Sequence, residues 1–174
     1  MKEARGVSEP SNVLYRIKRG LSGYVSYLAA CEMNKAFSEY VLYEPILRIL
    51  TARGYSVNTE FACPGLDRKG KGRGDQKKID FEATGHGCRF ALEVKWARNH
   101  RVDIRPDYEK LCAYNIHVKD SRSFLCVFGR RTHIQNIVLR NGNFTEMRKP
   151  VFADFGVTKY GCRMYELLSS YLLK

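Results

Sequence analysis

Two stretches of alternating apolar and polar residues, 78–84 and 89–97, flank the turn Gly85-His86-Gly87. They constrain the fold more than any other feature. Alternation of this kind marks half-buried strands, and so short a turn joins them as a hairpin. In the second stretch Phe90, Leu92, Val94 and Trp96 share one face, and Ala91, Glu93, Lys95 and Ala97 share the other. In the first, Ile79, Phe81 and Ala83 form the apolar set, while Asp80, Glu82 and Thr84 face away. If the two apolar faces meet one core, Asp80 and Glu93 project from the same surface. Lys95 lies about 7 Å from Glu93 along the strand, with small alanines on either side.

The rest of the chain sets this hairpin in a sheet with helices. Residues 12–33 read as an interrupted helix punctuated by Gly20 and Gly23. A second helix is expected over 35–53, ending at the C′ glycine Gly54, with Pro45 as a kink. Residues 55–63 alternate as a strand closed by Pro64-Gly65, and 66–78 form a very basic loop. Residues 106–118 read as a helix with Pro106 in its first turn, where Asp107 favours the helix dipole. The apolar run 123–129 has the composition of a buried, parallel strand. A strand over 134–140, a loop through Pro150 and a terminal helix from Cys162 complete the reading. Strands that meander and then cross over through a helix imply a mixed α/β sheet flanked by helices.

At 174 residues the chain is long enough for one real core, with some 70% of its surface buried on folding. Ordinary Gly and Pro content and 12% aromatics exclude collagen-like and disordered classes. Thirty Lys and Arg against 18 Asp and Glu leave a formal charge of +12, which attracts polyanions such as nucleic acid or anionic lipid. No apolar run approaches the roughly 18 residues of a membrane span, and the N-terminus lacks an export signal, so a cytoplasmic protein without a membrane partner is expected. The six cysteines are scattered without a CxxC pair, as in a protein with reduced thiols and no structural zinc.

Two carboxylates and a lysine converging on one patch suit hard-cation chemistry. Mg²⁺ is typically held by one or two carboxylates, with waters and substrate phosphate completing its shell. A bound metal acidifies its water and neutralises charge on a phosphodiester, and a nearby lysine orients that water or stabilises the oxyanion.

Ile79-Asp80-Phe81, followed thirteen residues after Asp80 by Glu93-Val94-Lys95, resembles the D…(D/E)xK core of the PD-(D/E)xK nuclease superfamily. The likeness covers about residues 37–130, including Ser38-Glu39 on the preceding helix and the passage ARGYSV into the first strand. Ile79 stands where many members have proline. The resemblance implies a restriction-endonuclease-like domain over 35–174 with an N-terminal helical extension over 1–34. It also implies a Mg²⁺-dependent endonuclease, with Mn²⁺ as substitute, and favours DNA over RNA. Asp80 and Glu93 map onto its metal ligands, Lys95 onto its lysine and Glu39 onto its first-helix acid. Members often carry an acid or amide at the position of Asp107, and many are dimers, so a homodimer is admitted.

Helix phase separates Glu39 from Glu44. With Leu42 at the origin, Glu39 falls at roughly 60°, inside the arc of Leu42, Ile46, Ile49 and Leu50, while Glu44 falls at roughly 200°. A carboxylate on the apolar face must be paired or bound to metal. Asp75, in the turn Gly74-Asp75, competes with Asp80 for the first ligand position, and strand register favours Asp80. Arg68, Lys69, Lys71, Arg73, Lys77 and Lys78 in the basic loop, extended by Arg98 and Arg101, would track a phosphate backbone. Six neutralised phosphates would weaken binding by about 10³ between 50 and 200 mM salt. Two other classes compete: a catalytically silent nucleic-acid-binding or protein-interaction module on the same fold, and a basic protein docked on anionic membrane.

Overall fold

The computed structural model describes residues 10–33, 38–66, 76–139, 143–154 and 156–168. Helix α1 (Ser11–Ala30) is followed by a 3-10 turn (Glu39–Leu42) that runs into α2 (Tyr43–Ala52). Strands β1 (Ser56–Ala62), β2 (Lys78–Gly85) and β3 (Cys88–Ala97) come next, then α3 (Arg105–His117) and β4 (Ser121–Arg130). The chain continues through α4 (Arg131–Gln135), β5 (Phe144–Glu146), β6 (Val151–Phe152) and β7 (Tyr160–Leu167).

The seven strands form one mixed sheet in the order β1-β2-β3-β4-β7-β5, with β6 also paired to β7. The β2–β3 hairpin turns on His86 and Gly87, both at positive φ (52° and 68°), as a two-residue type I′ turn requires. Strands β3 and β4 are parallel, joined by α3 as crossover. Ser123 through Gly129 is buried throughout, which explains why that run is apolar without alternation.

One face of the sheet packs against α1 and α2, the other against α3 and α4. Val13, Leu14, Ile17, Leu21 and Val25 of α1 join Phe90, Leu92, Phe124 and Phe128 in the first layer. Each such side chain contributes about 1.5–3 kcal/mol on leaving water, so α1 is bound firmly to the sheet. Leu111 and Tyr114 of α3 meet Ile79, Ala91, Leu125 and Val127 in the second layer.

Several expectations need correcting. Helix α1 runs unbroken through both glycines; a Cβ on Gly20 would lie 2.8 Å from Ile49 Cδ1, so this glycine lets α2 approach closely. The helix expected over 35–53 is a 3-10 turn and a shorter α2, with Pro45 accommodated in its first turn. Residues 134–140 begin inside α4, from which Ile134 and, beyond it, Ile137 reach the second core layer. That apolar run was too short to tell strand from helix by its period. The segment from Cys162 is strand β7, with Tyr160, Cys162 and Met164 in one layer and Tyr165 and Leu167 in the other. Its helix-forming residues yield to the open edge of β4, which needs a partner. Within the span expected as loop through Pro150 lies the short strand β5.

Candidate functional site

The sheet is irregular at one place, and the acidic residues gather there. The β1–β2 ladder pairs Thr59 with Phe81 and Phe61 with Ile79; between them Glu60 has a φ of 51°. A left-handed glutamate in a strand is strained by about 1–3 kcal/mol. Across this point the strands change faces: Phe81 belongs to the α1–α2 layer, whereas Ile79 and Phe61 belong to the α3 layer. The single apolar face expected for Ile79, Phe81 and Ala83 is therefore broken at Asp80.

The β2–β3 ladder ends at Phe81–Leu92. Past that pair, carboxylates replace the ladder. Asp80 Oδ2 accepts the Val94 N–H at 2.7 Å, and Glu39 Oε1 accepts the Trp96 N–H at 2.9 Å. Asp80 Oδ1 accepts a short hydrogen bond from the Tyr43 hydroxyl. Glu39 thus reaches β3 from the 3-10 turn, while Glu44 is exposed and paired with Arg48.

Glu93 is 1% exposed on the α3 face of β3. Its Oε2 lies 2.6 Å from Lys110 Nζ, and its Oε1 is buried without a hydrogen-bond partner. Burial pushes the Glu93 carboxyl well above the usual range; charge on Asp80 adds to the rise, and Lys110 opposes it. Burial also raises Asp80, against the hydrogen bonds from Tyr43 and Val94 and the charge of Lys110. The two acids are thus within electrostatic reach of each other, and burial leaves both poorly solvated. Lys95 Nζ pairs with Asp107 Oδ2 at 3.1 Å, and Lys110 reaches Asp107 Oδ1 at 3.4 Å. Burial works against the charge on Lys95, but Asp107 and Glu39 outweigh it and raise its pKa.

The structure thus draws Asp80, Glu93, Lys95 and Glu39 to one end of β3. Glu82, on the β2 face shared with α3, is satisfied by Arg89 at 2.6 Å, Tyr114 at 3.0 Å and Asn58 at 3.0 Å, which makes it a structural buried charge. Lys77 pairs with Glu109 and Lys78 with Glu60, and Arg98 and Arg101 are exposed between β3 and α3. Arg68, Lys69, Lys71, Arg73 and Asp75 lie outside the described residues.

Sequence reasoning did not find Lys110 or Tyr43. For Lys110 the signal was present: Asp107, Lys110, Leu111 and Tyr114 fall at i, i+3, i+4 and i+7, one face of a helix. Two charges on the face that carries Leu111 and Tyr114 toward the sheet had to find partners there. Tyr43 had no comparable sign, because its partner Asp80 depends on the break in β2.

Among the described residues no three His, Cys, Asp or Glu side chains form a group able to cage a metal ion. A closed zinc site does not fit. A Mg²⁺ site does, since one or two carboxylates suffice when water and phosphate supply the other ligands. The orphaned Glu93 Oε1, with Asp80 in electrostatic reach, is a donor set of that kind. Compared with family models, curated proteins and solved structures, the chain matches none. Among the described residues no helix is long and apolar enough to cross a membrane.

Proposed function

We propose that this chain is a metal-dependent nuclease of the PD-(D/E)xK type, on a restriction-endonuclease-like fold, that hydrolyses phosphodiester bonds in DNA. The observation that supports this most is the buried, unpartnered Glu93 Oε1, within electrostatic reach of Asp80 where β2 and β3 part. Asp80 and Glu93 would hold Mg²⁺, or Mn²⁺ in its place. When bound, the cation acidifies a water and neutralises charge on the scissile phosphate.

The chain's own residues divide the remaining work. Lys95, with its raised pKa, keeps its proton at neutral pH, so it acts as a cation on the developing oxyanion and not as a base. Asp107 holds that ammonium in place. Glu39 fixes the β3 backbone at Trp96, next to Lys95. Lys110 is the counter-ion of Glu93. Exposed Arg98 and Arg101 beyond β3 would meet the phosphates on either side of the cut. The same reading sets the protein in the cytoplasm, where its six scattered cysteines would stay reduced.

A silent nucleic-acid-binding module on the same fold draws support from Lys110, which already neutralises Glu93. Cleavage of plasmid and synthetic DNA separates the two. The wild type should cut with Mg²⁺ or Mn²⁺ and stop with chelator. Glu93→Gln and Lys95→Ala should each lower the rate by about 10² or more. A wild type that binds DNA but never cuts it overturns the nuclease assignment.

A further inference from the structure

Tyr40 is 71% exposed on the 3-10 turn, one residue after Glu39. Isolated exposed tyrosines are ordinary; this one is the outer end of an aromatic ladder. Its ring centroid lies 5.3 Å from that of Tyr43, whose ring lies 4.8 Å from that of the fully buried Phe81. Both contacts are tilted, at 54° and 56°, so each ring braces the next from the core outward. Tyr43 also hydrogen-bonds Asp80. The open ring of Tyr40 is thus two side chains from the carboxylates of the candidate site and is propped in place, so ordering it against a flat partner loses little entropy.

In a chain of net charge +12, the flat partner in reach of an acidic, cation-binding site is a nucleobase. Bases inside a duplex are stacked on one another and offer only their edges. An aromatic face needs a base that is unpaired or at an end. We infer that Tyr40 is a stacking platform for an unpaired base next to the scissile phosphate, and that the substrate is nucleic acid with single-stranded nucleotides: a free strand, a gap or a flap. This rests on the nuclease reading for the neighbouring phosphate, though not for the base contact itself.

The test is equilibrium binding in EDTA, by fluorescence anisotropy, of a labelled single strand, a flapped duplex and a blunt duplex. The wild type should bind the single strand and the flap more tightly than the blunt duplex. Tyr40→Ala should lose about tenfold on the single strand and the flap and change by less than about twofold on the blunt duplex. Tyr40→Phe, which keeps the ring, should match the wild type. Equal weakening on all three substrates, or no change on any, overturns the stacking role; the second result would leave the ring for a protein partner. Addition of Mg²⁺ to the same wild-type mixtures reads the nuclease assignment separately. Selective binding without cleavage removes the nuclease and keeps the platform; cleavage with unselective Tyr40→Ala binding does the reverse.

Discussion

Lys110 Nζ lies 2.6 Å from Glu93 Oε2, and both side chains are shielded, with 13% and 2% exposure. The pair places a lysine from the crossover helix against an acid in the centre of the sheet. Breaking a buried ion pair from one side costs about 3–5 kcal/mol, because it leaves the other charge stranded. Lys110→Met should therefore lower stability by about 3 kcal/mol near neutral pH in urea denaturation. With Gln already at position 93 the same change should cost much less. Additive effects in that double-mutant cycle would show that the two groups are not coupled.

The pH dependence has a definite sign. Burial raises the folded-state pKa of Glu93 well above its ordinary 4.5, and Asp80 is raised in the same direction. The folded protein then holds protons that the unfolded chain has released, so this contribution is complete below the ordinary carboxylate range. It is lost as pH rises through the elevated values. Because Gln does not titrate, the stability of the wild type relative to Glu93→Gln should fall as pH rises from about 4 to about 8. Parallel stability curves for the two proteins would mean that Glu93 titrates normally.

Divalent cations should reverse that penalty. A ligand that binds the folded state alone stabilises it by about 2.7 kcal/mol at a hundredfold excess over its Kd. Thermal melts of the wild type should move upward with Mg²⁺ or Mn²⁺ and stay fixed for Glu93→Gln. Equal shifts in both proteins would place the cation somewhere else.

Helix α1 offers a test of packing. A Cβ on Gly23 would meet nothing within 4 Å, so Gly23→Ala should gain about 0.8 kcal/mol from helix propensity. Gly20 faces Ile49, and Gly20→Leu should lose about 1–3 kcal/mol by overpacking the α1–α2 contact. Equal melting temperatures for the two variants would contradict the close approach of these helices.

What the sequence discloses here follows where local pattern and tertiary need agree. Alternation in 78–84 and 89–97 located β2, β3 and their turn, and the unbroken apolar run 123–129 located the buried β4. Disagreement came where long-range demands decided. Residues from Cys162 prefer helix, yet β4 required a neighbour. Parity predicts that Asp80 shares the outward face of Glu82, but β2 changes faces just there, opposite the left-handed Glu60 of β1. Asp80 and Glu93 still come within electrostatic reach, by a route alternation cannot encode. Helix phase singles out Glu39, which stands in the 3-10 turn before the shorter α2, and its carboxylate nonetheless meets the backbone of β3. The basic loop lies outside the described residues from Asp67 to Asp75.

Strand β7 is threaded between β4 and β5, though among the described strands it is the latest to be synthesised. A nascent chain leaving the ribosome must present the bare flank of β4 until Tyr160–Leu167 emerge and zip against it. Chains truncated before Tyr160 should consequently accumulate as aggregates, not as a smaller working domain.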